Sequence, residues 1–133
     1  MPEYMTALRR LALNDEAYLA DVMAHYSAIG EDRAGEVRSS PLSDKTRRLV
    51  DVAALIAAGS GATGIDAAVS AAFDAGATPE DVVEVLLSIT PYIGSARVVS
   101  AAPFIATAIG YDLEADLEGR YVTNPGGDRV FEG

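Results

Sequence analysis

Residues 48–76 limit more strongly than any other stretch what this chain can fold into. They consist of an apolar segment, RLVDVAALIAAG, a turn of glycine and small polar residues, SGATG, and an alanine-rich segment, IDAAVSAAFDAG. Glycine lets a chain reverse direction within a few residues, and small side chains let neighbouring helices approach closely. The stretch therefore predicts two buried elements joined by a tight turn, where backbone N–H groups and short side chains can meet a ligand.

Apolar residues at helical spacing, together with helix-capping residues, extend this pattern to about six helices. The third helix begins at Ser43 or Asp44, ends at Gly59, and is expected to be central because apolar side chains nearly surround it. The fifth begins at Thr78, where a following proline and aspartate suit the first helical position and a capping box, and ends near residues 91–94. The other helices are predicted at residues 3–13, 14–29 (capped by Asn14), 65–75 and 96–109.

Length and charge narrow the class of protein. The 133 residues are expected to form one domain with a core at 42–110, a polar loop at 31–42 and an irregular tail at 111–133. The net charge of −10 argues against non-specific binding to nucleic acid or to anionic membranes, since both require positive faces. No apolar run reaches about 18 residues, so no membrane span is expected and the cytoplasm is the default location.

The absence of cysteine excludes disulfides, thiolate nucleophiles and iron–sulfur clusters. The acidic residues between 112 and 118 have no histidine beside them, so they are interpreted as a solvated face rather than a metal site. No metal and no cofactor are expected.

Residues 59–64, GSGATG, match the G-x-G-x-x-G fingerprint of dinucleotide-binding folds. However, the preceding apolar run is long for a strand, and helix-capping residues lie upstream of it. The element after Gly76 begins with a helix cap, and no further strands are evident for a parallel sheet. A tight turn between two helices is therefore favoured, and dinucleotide binding is the lesser alternative.

Four short motifs occur in a fixed order within residues 42–110: DKTR at 44–47, AGATPE at 75–80, EVLL at 84–87 and YIG at 92–94. This order resembles the carboxymuconolactone decarboxylase superfamily, which also contains the AhpD-like alkylhydroperoxidases. The resemblance implies an all-α, AhpD-like helical bundle that assembles into a homotrimer or homohexamer. It also implies a pocket near the turn and the subunit boundary.

The chain differs from this family at the positions that carry the family's catalytic residues. AhpD-like members carry Cys-x-x-Cys and then histidine at the turn and the following helix. By position, the cysteines fall at Ser60 and near Thr63 or Gly64, the histidine at Ala68, and an upstream glutamate at Arg48. Cysteine-dependent peroxidase activity is thus excluded, and the histidines of the decarboxylases are absent too. The resemblance implies a fold and a pocket but supplies no catalytic residue.

The charged candidates for a site are one histidine and two arginines. His25 is the only histidine, and histidine exchanges protons near neutral pH, so it could act as a general base; a half-buried structural histidine is the alternative. Arg48 and Arg97 could clamp a carboxylate. Glu84 is the expected internal partner of one of them, and a structural Arg–Glu pair is the alternative reading of these residues.

The uncharged candidates are hydroxyl groups. Ser60 and Thr63 could hydrogen-bond a carboxylate or carbonyl at the turn, or they could only cap the following helix. Tyr92 could donate a hydrogen bond to a substrate, or it could be a packed aromatic.

Two functions follow from these candidates. The first is a cofactor-free lyase, decarboxylase or isomerase that uses acid–base chemistry on a small carboxylated or lactone-like substrate, with His25 and Tyr92 catalytic. The second is a non-catalytic oligomer of the same fold that binds a small ligand or has a structural role.

Overall fold

The computed structural model describes residues 2–26 and 40–112, and these are entirely helices and short connections, without a strand. The chain divides into two compact units, Met1–Ala34 and Gly35–Gly133, and each is described by itself. The first unit contains α1 (Glu3–Ala12) and α2 (Glu16–Tyr26), and the second contains α3 (Asp44–Ala58), α4 (Ala62–Asp74), α5 (Pro79–Ile93) and α6 (Ser95–Ala108). The prediction of an all-α fold with about six helices is confirmed. The expected end of the second helix at residue 29, most of the loop at 31–42 and the tail from 113 lie outside the described residues.

Polar contacts join the two helices of the first unit, in which no helical residue is buried. Arg10 Nε lies 3.0 Å from Asp15 Oδ2, and the Arg10 guanidinium lies 4.7 Å from the centre of the Tyr18 ring. Asp15, and not Asn14 as predicted, caps α2, because its Oδ1 accepts the Tyr18 N–H at 3.0 Å. Asn14 has a φ of 56° and occupies the turn instead, a left-handed conformation that asparagine tolerates.

The helix starts of the second unit follow the capping residues of the sequence. Ser43 Oγ accepts the Thr46 N–H at 3.1 Å at the start of α3. Thr78 and Asp81 form the predicted capping box at the start of α5, with hydrogen bonds of 2.9 and 3.1 Å. α4 begins at Ala62, earlier than the predicted residue 65, because the extended backbone of Gly61 takes the N-cap position.

The core of the second unit lies among its four helices. α3 contacts the other three, as expected of a central helix, and α6 also packs against α4 and α5. The largest fully buried side chains are those of Val52, Ile56, Ile65, Val69 and Val82. However, α4 is the most deeply buried helix, because its alanines let neighbours approach on two sides. α3 is not buried all round, since Val50 remains 53% exposed.

The glycine motif at residues 59–64 lies between two helices, so the lesser alternative of a dinucleotide-binding fold was wrong. The motif follows α3, where the dinucleotide fingerprint requires a strand. Gly59 closes α3 in the left-handed conformation, with φ 77°. Hydrogen bonds from Gly59 N–H to the Ile56 carbonyl (3.1 Å) and from Ser60 N–H to the Leu55 carbonyl (2.9 Å) complete a Schellman motif.

None of the described helices combines the length and the hydropathy needed to cross a bilayer.

Candidate functional site

A cavity of about 110 Å³ lies where the α3–α4 turn meets α6. Its lining comes from the end of α3 and the turn (Ile56, Gly59, Ser60 and Gly61) and from one face of α6 (Arg97, Ser100, Ala101 and Phe104). Ile56 and Ala101 are buried and form the apolar inner part, whereas Arg97 and Ser100 are exposed. The cavity is therefore open to solvent on the side that carries its polar groups.

Two glycines of the turn make room for the polar side chains of this cavity. The Arg97 guanidinium lies against Gly59, where an added Cβ would overlap with its Nη1 atom. In the same way, the Ser60 hydroxyl occupies the space of a Cβ on Gly64. A Cβ on Gly61 would meet nothing within 4 Å. The glycine spacing that resembles a nucleotide fingerprint thus seats an arginine and a serine.

The charge of the cavity is positive although the whole chain is acidic. Arg97 forms no ion pair with any residue in the described ranges, and no acidic side chain lines the cavity. Gly61, the N-cap of α4, has no side chain to accept the first N–H groups of that helix. A helix N-terminus carries partial positive charge, which adds to the charge of the guanidinium. Together these groups suit an anion such as a carboxylate.

The structure brings together two of the sequence candidates, Ser60 and Arg97, in this cavity. Thr63 is exposed in the first turn of α4 and is not part of the lining. Tyr92 is 89% exposed near the end of α5 and does not line the cavity either. His25 belongs to the first unit, where it is half-buried and its ring centre lies 4.6 Å from that of Tyr26.

Arg48 is buried, with 6% of its surface exposed, and does not reach the cavity. Its Nε lies 3.7 Å from Asp44 Oδ1, and its Nη1 lies 3.8 Å from Asp51 Oδ2. Both aspartates are on α3, as Arg48 is. They lie close to Arg48 because spacings of three and four residues place side chains on one face of a helix. The expected pair between an arginine and Glu84 is not formed: Glu84 is exposed and lines a different surface.

That surface is an open groove of about 350 Å³ between α3 and α5. Its walls are mainly apolar, and its polar members include Asp81, whose Oδ2 also pairs with Lys45 Nζ at 3.1 Å. The backbone hydrogen bond from Thr78 and then the Lys45 side chain hold the pKa of Asp81 below its ordinary value. These contacts involve Asp81 in helix capping and in an ion pair between helices.

Sequence reasoning missed two polar or aromatic members of the cavity, Ser100 and Phe104. With Arg97 they are spaced by three and seven residues, which is the spacing of one helical face. That periodicity on α6 could have identified both residues from the sequence. Within the part of the chain that the structure describes, the residues that line this cavity include no carboxylate, imidazole, amine or phenol.

Comparison with known proteins adds one finding. A statistical model of the carboxymuconolactone decarboxylase family matches residues 20–107, a span that contains the turn and every residue of the cavity. No curated protein and no solved structure matches the chain.

Proposed function

Because this chain belongs to the carboxymuconolactone decarboxylase family, we propose that it acts on a small carboxylated or lactone-like molecule as a cofactor-free lyase, decarboxylase or isomerase. The cavity beside Gly59 is the proposed seat of the substrate's carboxylate. The observation that supports this most is Arg97, a cation without an acidic partner in the described ranges, at the uncapped start of α4. A carboxylate would supply the negative charge that this arrangement lacks.

The proposed binding mode uses each polar group of the cavity. A guanidinium can donate two parallel hydrogen bonds to one carboxylate. The hydroxyls of Ser60 and Ser100 can donate further bonds, and the first N–H groups of α4 add the positive end of a helix dipole. The apolar side chains of Ile56 and Phe104 would contact the carbon part of the ligand.

The described lining of the cavity supplies no proton carrier: His25, whose imidazole is the side chain best suited to gain and lose a proton near neutral pH, belongs to the first unit. In a decarboxylase or an isomerase, such a group would deliver a proton to a substrate carbon or remove one beside a carbonyl. Neither His25 nor Tyr92 lines the cavity, so neither is assigned a role at the carboxylate site.

One observation favours a second candidate function, binding without conversion. The described residues of the cavity lining carry serine hydroxyls but no group that readily exchanges protons at neutral pH. A binding protein of this family would need only the clamp and the apolar wall. The two candidates share the ligand and differ in whether it is changed.

The test is to incubate the protein with a panel of small lactones and β-keto acids and to follow substrate, product and bound ligand by NMR. The enzyme candidate predicts conversion that falls by about 100-fold in Arg97→Gln, the size of a lost charge-stabilising group. Retention of the ligand without conversion, lost in Arg97→Gln, supports the second candidate. Neither conversion nor retention would remove both.

We also propose that the chain associates with copies of itself. Support comes from large apolar side chains that are exposed on the second unit, among them Leu87, Tyr92 and Val99. Large apolar surface exposed to solvent commonly marks an interface between proteins.

A further inference from the structure

We infer that the cavity beside Gly59 prefers ligands with a single carboxylate and discriminates against dicarboxylates. The inference rests on the proposed function, because it takes this cavity to be the carboxylate site. It narrows the substrate class from acids in general to monoacids.

The cavity supplies one cation. Arg97 is the only positively charged side chain among the described residues of its lining. Two cations of α3 already have acidic neighbours. Lys45 pairs with Asp81 at 3.1 Å, and Arg48 lies within 4 Å of two aspartates on its own helix. A second carboxylate on the ligand would therefore find no further cation among the described residues of the cavity, on a chain whose net charge is −10.

Once one carboxylate is paired with Arg97, the remaining side chains of the lining are mainly apolar: Ile56, Ala101 and Phe104. A carboxylate placed against them would lose water without gaining a hydrogen bond, which is costly, whereas a methyl or vinyl group would gain from the contact.

The small volume of the cavity limits how far apart two carboxylates of one ligand can lie. The cavity holds about 110 Å³, somewhat less than an apolar cavity of about 150 Å³ that accepts benzene. A ligand of this size cannot send a second carboxylate far from the first. The two like charges would therefore lie close together and repel each other, with one guanidinium between them to share.

Three probes of nearly the same shape test this inference. Crotonate has one carboxylate, fumarate has the same carbon skeleton with two, and crotonamide has none. Each is titrated into the full chain while the amide resonances of residues 59–64 are followed by NMR. Crotonate is expected to bind at least about tenfold more tightly than either fumarate or crotonamide. Crotonamide has no charge to pair with Arg97, and the second carboxylate of fumarate has no cation in the described lining to pair with.

Variants assign the effect to the cavity. Arg97→Gln should lose the preference for crotonate over crotonamide, and because Arg97 is exposed this variant is expected to fold. Arg48→Gln is the matched control, since it removes an arginine that does not line the cavity, and it should keep the preference.

The outcomes separate this inference from the proposed function. Fumarate that binds as tightly as crotonate, with a dependence on Arg97, would overturn the preference for monoacids and leave the carboxylate site intact. If no carboxylate shifts the turn resonances, or if Arg97→Gln binds crotonate like the unaltered chain, the carboxylate site is itself wrong and the inference falls with it.

Discussion

At the scale of single residues, Gly59 shows how one missing side chain shapes the candidate site. Gly59, Gly76 and Gly110 each end a helix with positive φ and with the hydrogen bonds of a Schellman motif. Only at Gly59 does another side chain, the Arg97 guanidinium, occupy the space of a Cβ. The three glycines thus share a backbone role, and Gly59 has a second role in placing the cation.

This difference allows a matched pair of substitutions. Gly59→Ala and Gly110→Ala place alanine at similar φ values, 77° and 83°, so each should lower the free energy of unfolding by about 1–2 kcal/mol. Only Gly59→Ala should also weaken carboxylate binding, because the Arg97 guanidinium must move away. Chemical denaturation and ligand titration measure the two effects. Equal binding by both alanine variants would show that the position of the guanidinium does not matter.

Arg48 and Arg97 are expected to have opposite roles. Arg48→Ala should lower the free energy of unfolding by about 3 kcal/mol, at the low end for a broken buried ion pair because Asp44 is exposed. It should leave carboxylate binding unchanged in the folded fraction. Arg97→Ala should have little effect on stability, since Arg97 is exposed, and should abolish binding. Thermal unfolding and calorimetric titration of both variants check this, and a loss of binding in Arg48→Ala would restore Arg48 as a clamp.

At the scale of elements, helix ends were predictable from the sequence where the side chain that caps a helix is local to it. Ser43 and Thr78 start their helices as predicted, since each bonds a backbone N–H three residues later. Gly61 was missed as a start because glycine has no capping side chain to mark it. Asp15 was missed because the backbone conformation of Asn14 decides which of the two residues caps α2.

Contacts between helices were harder to predict. Ser60 and Arg97 were both candidates, yet the sequence did not indicate that they share a cavity, because that depends on how α6 packs against the turn. Glu84 was expected to pair with either Arg48 or Arg97, and it pairs with neither, for the same reason. Aspartates on the same helix, whose positions follow from helical periodicity alone, lie beside Arg48 instead.

The start of α5 should make stability depend on acid pH. The pKa of Asp81 is lowered from 3.8, first by the backbone hydrogen bond from Thr78 and then by Lys45. A folded-state pKa below the unfolded value stabilises the fold above about pH 3.8, and this contribution is lost as the pH falls through the folded pKa. Asp81→Asn should therefore be less stable than the unaltered chain at pH 7 and should lose less stability on acidification. Urea denaturation between pH 2 and pH 7 measures this; parallel curves for the two proteins would contradict it.

At the scale of the whole molecule, the exposed apolar side chains of the second unit lead us to expect a mass above that of the monomer. Leu87, Tyr92 and Val99 are 58%, 89% and 71% exposed in the single chain. A trimer or hexamer would remove such surface from water. Sedimentation velocity should give three or six times the chain mass of 13.9 kDa, and Leu87→Glu with Val99→Glu should shift the mass towards the monomer. A monomer at micromolar concentration would refute the proposed self-association.

The account as a whole depends on the cavity beside Gly59 as the place where a carboxylate binds. A crystal structure of the chain soaked with crotonate tests this most directly. We predict the carboxylate within hydrogen-bonding distance of the Arg97 guanidinium and the Ser60 hydroxyl, with its carbon chain towards Phe104. A crotonate bound instead beside Arg48 or in the groove between α3 and α5, with the cavity beside Gly59 empty, would contradict the account.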